Sequence, residues 1–401
     1  MQRKPRVVII GGGIGGLTAA LALSRRGIET SVYEQASALN DIGAGIQIAP
    51  NAVKTYRALG IEAALHAIGF ETENQVIRSW RSGRIISKQP RKSVMRMRFG
   101  APYYTVHRAD LLDVLGRSLP AGCVHLGAHC IAIAADGRGP VARFADGSEI
   151  EADVIVGADG IHSVVRAGLF GAESPRFTGC ICWRGLVPID AVPQGLGISD
   201  GTAWWGPHGH IVHYPVRRGE LMNFVAHHDS AAWTSESWTT ECDKSELLEA
   251  YEAWNEALLQ LINRSDRYYK WALYDRDPLD CWSKGRITLL GDAAHAMLPY
   301  LAQGACMAIE DGYVLAESIA RSPEDLTAAL ALYETLRLSR TRRTVLGSRF
   351  RARENHLASP WKRLYRDAKI AIRDRFNSDS TSFRAAWLYD YDAAAEFNST
   401  R

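Results

Sequence analysis

No long hydrophobic run occurs in this chain of 401 residues. A membrane-spanning helix needs roughly 20 consecutive apolar residues, so an integral membrane role is not expected. An excess of one charge is also missing. Lys plus Arg number 47 against 44 Asp plus Glu, a formal net charge of +3. Such a balance gives no reason to expect a nucleic-acid or membrane-surface partner. Cysteine is sparse and unpatterned. The seven thiols, Cys123, Cys130, Cys180, Cys182, Cys242, Cys281 and Cys306, are odd in number and lack framework spacing. A disulfide scaffold is therefore excluded, and reduced thiols in the cytoplasm are expected. Cys180-Ile-Cys182 lacks the two intervening residues of a redox dithiol. On a strand both side chains would share a face, and buried packing is expected. His125 and His129 lie near Cys123 and Cys130, but no second ligand cluster follows, so no metal site is expected. The basic opening Arg3 to Arg6 runs into a short strand and glycines rather than a signal peptide. Internal repeats and low-complexity segments are absent.

What is present begins at once. The apolar run Val7 to Ile10 is followed by Gly11-Gly12-Gly13-Ile14-Gly15-Gly16, and Glu34 ends a second apolar segment, Thr30 to Glu34. This is the first half of a dinucleotide-binding unit. The chain leaves a buried strand, turns through glycines, and opens a helix whose free N–H groups face a pyrophosphate. Gly11 permits the turn, Gly13 lets the backbone touch phosphate, and Gly16 lets helix and strand approach. Glu34 lies where a carboxylate accepts ribose hydroxyls. Placement between strand and helix, with the acid downstream, is what raises this above an ordinary glycine turn.

The length allows two or three domains. Residues 6–34 read as strand–helix–strand. A glycine-rich loop spans Gly43 to Asn51, and a helix is expected over Ala52 to Leu65. Residues 72–97 alternate as exposed strands would. A helix starts at His107-Arg108 and runs to Leu119. Residues 124–156 read as strand, turn, strand, closing on the buried Asp153 to Val156. Residues 176–274 are tryptophan-rich with short β-like runs and one helix over Lys244 to Leu261. Helices follow near Ala305 and over Leu326 to Ser348, then an arginine-rich helical tail. The expected fold is α/β. A discontinuous Rossmann-like dinucleotide-binding domain comprises 1–71, 98–175 and 275–349. A mainly antiparallel substrate domain comprises 72–97 and 176–274, and 350–401 form a C-terminal helical segment.

Two later motifs specify the dinucleotide. Gly157-Ala158-Asp159-Gly160, with His162-Ser163 and Arg166, follows strand 153–156. Gly291-Asp292-Ala293-Ala294-His295 follows strand 287–290 and leads through Pro299 and Gln303-Gly304-Ala305 into a helix. An Asp at a strand end suits the ribityl hydroxyls of a flavin. A glycine before a helix N-terminus brings N–H groups to the pyrimidine edge, where negative charge grows on reduction. In this order and spacing the chain resembles the single-component aromatic hydroxylases, flavoprotein monooxygenases of the 4-hydroxybenzoate hydroxylase fold. The resemblance runs over nearly the whole chain. Segments 43–51, 295–305, 209–215 and 387–392 are similar to the salicylate, 3-hydroxybenzoate and 6-hydroxynicotinate hydroxylase branch.

The resemblance implies FAD held by Gly11, Gly13, Ile14, Gly15, Gly16, Glu34, Gln47, Arg108, Asp159, Asp292, Pro299, Gly304 and Ala305. Asp159 would serve both FAD and NAD(P)H. It also implies NADH or NADPH as electron donor, O2 as co-substrate, and oxygen transfer from a flavin C4a-hydroperoxide to an electron-rich ring. A phenol accepts such oxygen better once its proton has left, so a base is needed near the substrate. The branch sets a histidine over the ring, and His210 is the candidate. On a strand His210 and Tyr214 share a face and His213 takes the other. Tyr214, Gln47 and Tyr300 are further candidates for the substrate pocket. Some branch members carry histidine at Gln47, and histidine or glutamine where this chain has Pro299-Tyr300, which leaves the ring position open. Arg184 reads as structural, Arg81 is a candidate carboxylate partner, and Trp204-Trp205 reads as packing at a sheet edge.

Hydroxylation of salicylate to catechol is the first substrate expectation. The alternatives are 3-hydroxybenzoate 6-hydroxylase or 6-hydroxynicotinate 3-hydroxylase activity. A flavin epoxidase or halogenase is a third class, although Trp183-Arg184-Gly185 departs from the halogenase signature. A non-catalytic dinucleotide-binding protein is the remote alternative, disfavoured by Asp292. A monomer or homodimer is expected.

Overall fold

The computed structural model describes residues 4–39, 44–136, 139–231, 241–376 and 385–398. Gly43 lies outside the described residues. Val7, Val8, Ile9 and Ile10 are almost wholly buried, as a central parallel strand covered on both faces must be. Strand Arg6–Ile10 sits in the middle of a five-stranded parallel sheet. Its order is Ile287–Leu289, Val154–Gly157, Arg6–Ile10, Glu29–Glu34, Val124–Leu126. The strands that precede the three cofactor motifs are thus neighbours, with their C-terminal ends on one edge. Ligands of open α/β sheets bind outside such ends.

Helix Ile14–Ser24 is buried along almost its whole length and packs on helix Gly304–Arg321. A Cβ at Gly312 would lie 2.7 Å from the backbone nitrogen of Ala19. Only glycine lets these helices cross so closely. An antiparallel three-stranded sheet (residues 130–136, 139–144 and 149–151) flanks the parallel sheet.

The second lobe is built on a seven-stranded sheet, mostly antiparallel. Its order is Tyr269–Asp275, Arg176–Pro188, Leu221–Asp229, Gly209–Val216, Gly201–Gly206, Asn74–Ser79, Ile85–Pro90. One face carries Trp183, Trp204, Ile211, Phe224 and Ala226, which pack with Leu247, Tyr251, Leu258, Leu261 and Ile262. Alternation turns His210, Tyr214, Asn223, His227, Cys180, Cys182 and Arg184 to the opposite face. A small sheet of Gly45–Ile48, Tyr104–His107 and Phe70–Glu71 joins the lobes.

Several local expectations differ from what is found. The helix expected over 244–261 is two helices, Lys244–Ala250 and Glu256–Asn263. The Asn255 side chain accepts from the Ala257 N–H and starts the second helix afresh. The helix expected over 52–65 breaks at Gly60, which takes φ +72 between helices Pro50–Ala58 and Glu62–Ile68. Within 72–97, Val76 and Ile77 are buried and Lys92–Phe99 is helical. The strand of Trp204 and Trp205 is interior to the sheet, not at its edge. The helix starting at Leu326 continues to Asn355 and carries the chain past the substrate sheet.

Candidate functional site

The cofactor cleft is defined by three glycine turns. Gly11 adopts φ +109, and a Cβ there would lie 2.3 Å from the Ala158 carbonyl oxygen. A Cβ at Gly16 would lie 2.0 Å from the Gly11 carbonyl oxygen, and one at Gly15 would lie 2.5 Å from a Leu290 methyl. Thus the first turn is clasped between the second and third motifs. Gly13 is the N-cap of helix Ile14–Ser24, and a Cβ there would meet nothing within 4 Å. Its open side is where a phosphate would approach the helix terminus. Ile14 is buried beneath the turn.

Glu34 closes the second strand. Its Oε2 accepts from the Gly12 N–H at 2.6 Å and its Oε1 from the Ala36 N–H at 2.8 Å. The carboxylate is held against the glycine loop, as ribose binding requires. Burial, followed by Arg184, lowers the Arg108 pKa, while Asp292 and Glu34 counteract it. The guanidinium therefore lies within electrostatic reach of both acids at the cleft. Asp292 is exposed to open space yet deeply surrounded by protein, the description of a cleft floor. Desolvation raises its pKa against the pull of His295 and Arg108.

Asp159 is used differently. Its carboxylate accepts from Ser163 Oγ at 2.5 Å and from the Val164 and Val165 N–H groups at 2.7 and 3.2 Å. It holds the first turn of helix Val164–Phe170, which is the turn-capping role. Pro299 lies in a short 3-10 turn, and Ala302 takes φ +52 before helix Gly304–Arg321 begins. A Cβ at Gly304 would meet only Met297, at 3.9 Å. Ala305 follows in the helix's first turn. Gln303 is fully buried, and its Nε2 has no hydrogen-bond partner although its Oε1 accepts from Asn51. An open glycine turn, a ribose-ready carboxylate and an orphaned amide donor fit FAD.

Sequence reasoning missed what stands behind this cleft. Asp311 accepts from the Gly291 N–H at 3.1 Å and bonds His295 Nε2 at 2.6 Å and Arg337 Nε at 2.7 Å. Glu310 bonds Asn51 at 2.6 Å and pairs with Arg337 and Arg340. Burial opposes ionisation of both acids, yet the pKa of each is lowered. Arg340 and Arg337 outweigh burial at Glu310, and His295 and Arg337 do so at Asp311. This network ties the Gly291 turn, the Gln303 turn and the long helix Leu326–Asn355 together. Its signal in sequence was Glu310-Asp311 set between apolar runs of helix Gly304–Arg321.

The substrate candidates separate into two groups on one sheet face. Tyr214 O–H donates to the Gly45 carbonyl at 2.8 Å and is also hydrogen-bonded by Gln47. Gln47 accepts from Tyr103 O–H at 2.7 Å, and Asn223 Oδ1 accepts from the Gly45 N–H at 2.9 Å. A Cβ at Gly45 would lie 2.6 Å from Asn223 Cγ. Here the substrate sheet docks directly on the cofactor lobe. His210 lies four residues away, roughly 13 Å along an extended strand, and does not share this group.

His210 belongs to an aromatic cluster. Its ring stacks parallel on His227 at 4.3 Å, and the Tyr300 ring lies 5.3 Å away. Tyr300 follows Pro299 directly, so the cofactor loop touches the substrate sheet here. His210 Nδ1 bonds His356 Nε2 at 2.7 Å, and His356 Nδ1 bonds Asp229 Oδ1 at 2.6 Å. Burial, then His227, His356 and Arg351, holds the His210 pKa well below its usual value. The imidazole is therefore neutral, with one ring nitrogen unprotonated, and burial disfavours a full positive charge on it. His213 lies on the opposite face, buried beside Trp204, with its pKa lowered to about 3 by burial.

Cys180 and Cys182 share the His210 face. Tyr300 O–H donates to Cys180 Sγ at 3.4 Å, and Cys182 Sγ bonds His227 Nδ1 at 2.8 Å. Burial raises the Cys182 pKa well above the usual thiol value, so the thiol is the donor. Cys180, Cys182 and His227 gather ligand atoms within 4.8 Å, but a metal needs deprotonated sulfur. Arg184 lies on this face over the Trp271 ring, its pKa lowered to about 10 by burial. Arg81 is exposed on the turn after strand Asn74–Ser79, away from this cluster. His227, His356 and Asp229 carried no motif and were not legible as site residues.

Three glycine turns around one cleft, joined to a histidine-bearing antiparallel sheet, define a flavin-dependent hydroxylase. The chain belongs to the FAD binding domain family, whose model matches residues 4–347. It is 42% identical over 391 residues to a 3-amino-4-hydroxybenzoate 2-monooxygenase of Streptomyces platensis, covering 98% of this chain and 97% of that one. It is 36% identical to a 6-hydroxynicotinate 3-monooxygenase of Pseudomonas fluorescens, covering 85% and 89%. A solved salicylate hydroxylase substrate complex superposes with a TM-score of 0.82 at 29% identity, covering 98% of this chain and 97% of that one. The protein is thus an FAD-dependent aromatic monooxygenase of the hydroxybenzoate and hydroxynicotinate hydroxylase branch. The non-catalytic alternative falls. The seven cysteines are all free, and no helix among the described residues is long and apolar enough to cross a membrane.

Proposed function

We propose that this protein hydroxylates a small benzoate or pyridine carboxylate bearing a ring hydroxyl or amino group. The first candidate substrate is 3-amino-4-hydroxybenzoate. NADH or NADPH would supply electrons and O2 the oxygen. The identity to the Streptomyces platensis enzyme over nearly the full length of both chains supports this substrate. Salicylate, the first expectation from sequence, is the second reading, supported by the structural likeness to the salicylate hydroxylase complex. The unpaired thiols suit a reducing cytoplasm. Trp361, Leu364, Tyr365, Ile372 and Phe376 form an exposed apolar stripe on helix Pro360–Phe376, which supports a homodimer.

One observation carries the catalytic reading: the His210 imidazole stands against Tyr300 of the cofactor loop. Bound FAD supplies the redox chemistry that makes an oxygen atom of O2 electrophilic. The chain's own residues do the rest. Glu34, Arg108 and the glycine turn bind and orient the cofactor. The docked group of Tyr214, Asn223 and Gln47 keeps the sheet against that lobe. His210 accepts the proton of the substrate's ring O–H or N–H, so that electron density flows into the ring as oxygen arrives. A positioned base of this kind contributes about 10²–10⁴ in rate. The buried aromatic surround excludes water from the reacting centre.

The test is a panel of aromatic acids offered to the FAD-loaded protein, with pyridine-nucleotide oxidation and product mass recorded. Stimulation by 3-amino-4-hydroxybenzoate with a monohydroxylated product is expected. Hydroxylation of salicylate alone would select the second reading. Nucleotide oxidation stimulated by no member of the panel would overturn both.

A further inference from the structure

The hydrogen bonds around His210 have a direction. An ionised Asp229 carboxylate only accepts, so His356 Nδ1 carries the proton of their 2.6 Å bond. With that proton on Nδ1, His356 offers Nε2 as the acceptor toward His210. The 2.7 Å bond to His210 is therefore donated by His210 Nδ1. His210 is left with a bare Nε2, the lone pair that a base needs. Among the described residues that nitrogen makes no hydrogen bond. The ring cannot drift, because it stacks parallel on His227 and touches Tyr300. The far end of the chain reaches solvent. Asp229, His356, Cys180, Thr178 and Tyr300 line an open cleft of about 520 Å3 beside the start of helix Pro360–Phe376.

We infer that Asp229 and His356 are positioning residues that fix the tautomer of His210 and conduct the substrate's proton from the buried site to this cleft. The inference rests on the hydroxylase reading above. The step balances without any change of oxidation state. The substrate O–H or N–H bond breaks and an N–H bond forms at His210 Nε2. The His210 Nδ1 proton passes to His356 Nε2. The His356 Nδ1 proton passes to Asp229 Oδ1 and from there to water. His210 and His356 each end as the other neutral tautomer, and reverse transfer along the same bonds, from water through Asp229 to the product oxyanion or amide nitrogen, resets both. No full positive charge is stranded beside His227, which a buried, isolated imidazole base would have to bear. The other titratable and charged groups facing the relay are Cys182 and His227 beside His210, Cys180 and Tyr300 between the ring and the cleft, Arg351, Arg353 and Lys362 from the helices beyond it, and His228 and His208, whose Nδ1 atoms lie 2.7 Å from the Asp229 carbonyl and 3.5 Å from Asp229 Oδ2.

The experiment compares FAD-loaded wild type, Asp229→Asn, Asp229→Glu and His356→Gln with 3-amino-4-hydroxybenzoate, from about pH 6 to about pH 9. Hydroxylated product is measured against nucleotide consumed, and FAD content reports folding. Asp229→Asn and His356→Gln are expected to keep FAD and lose about tenfold to a hundredfold in hydroxylation near neutral pH. The deficit should shrink as pH rises, because the substrate then ionises without help. Asp229→Glu should restore the wild-type profile. Nitrogen-15 spectra of the histidines in the wild type should show His210 protonated at Nδ1 and bare at Nε2. An equal deficit at every pH, unchanged rates, or a His210 protonated at Nε2 would overturn the relay. Wild-type protein that hydroxylates nothing would instead overturn the functional reading, while the nitrogen-15 result would still decide the tautomer.

Discussion

The two lobes solve the same problem, a buried polar site, in different ways. The cofactor lobe uses backbone: glycine turns, strand ends and helix termini, with Glu34 and Asp292 at fixed offsets. The substrate lobe uses side chains from distant segments: His210 and His227 from neighbouring strands, Tyr300 from the cofactor loop and His356 from the end of a long helix. Backbone solutions need particular residues at particular spacings and so leave a motif. Side-chain convergence leaves none, because any topology that brings the segments together will serve. The lesson is that the cofactor is specified locally and the reaction non-locally.

The comparison can be broken first at the buried charges behind the cofactor cleft. Arg337 is fully buried between Glu310 and Asp311. Arg337→Met would leave both acids short of a partner, which costs about 3–5 kcal/mol. A large drop in thermal midpoint with loss of FAD is expected. An unchanged midpoint would mean that the network is not what holds the turns together. The same acids set an acid limb. The pKa values of Glu310 and Asp311 are lowered in the folded state, so the stability they contribute is present above the ordinary carboxylate range. It is lost as pH falls through that range toward their folded values. Urea midpoints measured down that range should decline in the wild type and decline less steeply in Arg337→Met.

The substrate lobe should respond in the opposite pattern. His210→Ala is expected to keep FAD and the fold but lose about 10²–10⁴ in hydroxylation, with hydrogen peroxide replacing product. Asp292→Ala should do the reverse, releasing FAD about tenfold more readily while the histidine cluster stays intact, roughly the worth of one hydrogen bond to a charged group. Flavin fluorescence during dialysis would measure it, and equal retention would remove Asp292 from the cleft floor. At the seam between the lobes, Gly45→Ala forces a methyl against Asn223 and Tyr214. A cost of about 1–3 kcal/mol is expected, read as a lower unfolding midpoint and poorer coupling of nucleotide oxidation to product. Normal coupling would show that the lobes tolerate a looser contact.

The legibility of the sequence follows the same division. The α/β architecture, the cofactor turns and the shared face of His210 and Tyr214 could be read because strand period and glycine geometry are local properties. What strand period could not say is that four residues separate two distinct groups, with Tyr214 serving the lobe contact and His210 the histidine cluster. Asp159 shows the other limit. A carboxylate after a strand looks the same in sequence whether it faces a ligand or caps the next helix, and here its two oxygens are committed to Ser163, Val164 and Val165. His356 was hidden for a third reason. Its role depends on helix Leu326–Asn355 continuing through Gly347 and beyond Ser348, where a glycine reads as a stop although the helix passes through it.

On the proposed function, oxygen activated in the backbone-built lobe is delivered to a ring whose proton is taken by the side-chain-built lobe. Turnover of 3-amino-4-hydroxybenzoate under oxygen-18 gas, in wild type and His210→Ala, tests it most directly. One labelled oxygen atom per product molecule is expected from the wild type, and the flavin-loaded variant is expected to consume nucleotide while yielding peroxide. Product whose added oxygen is unlabelled, or a His210→Ala enzyme that hydroxylates as well as the wild type, would contradict it.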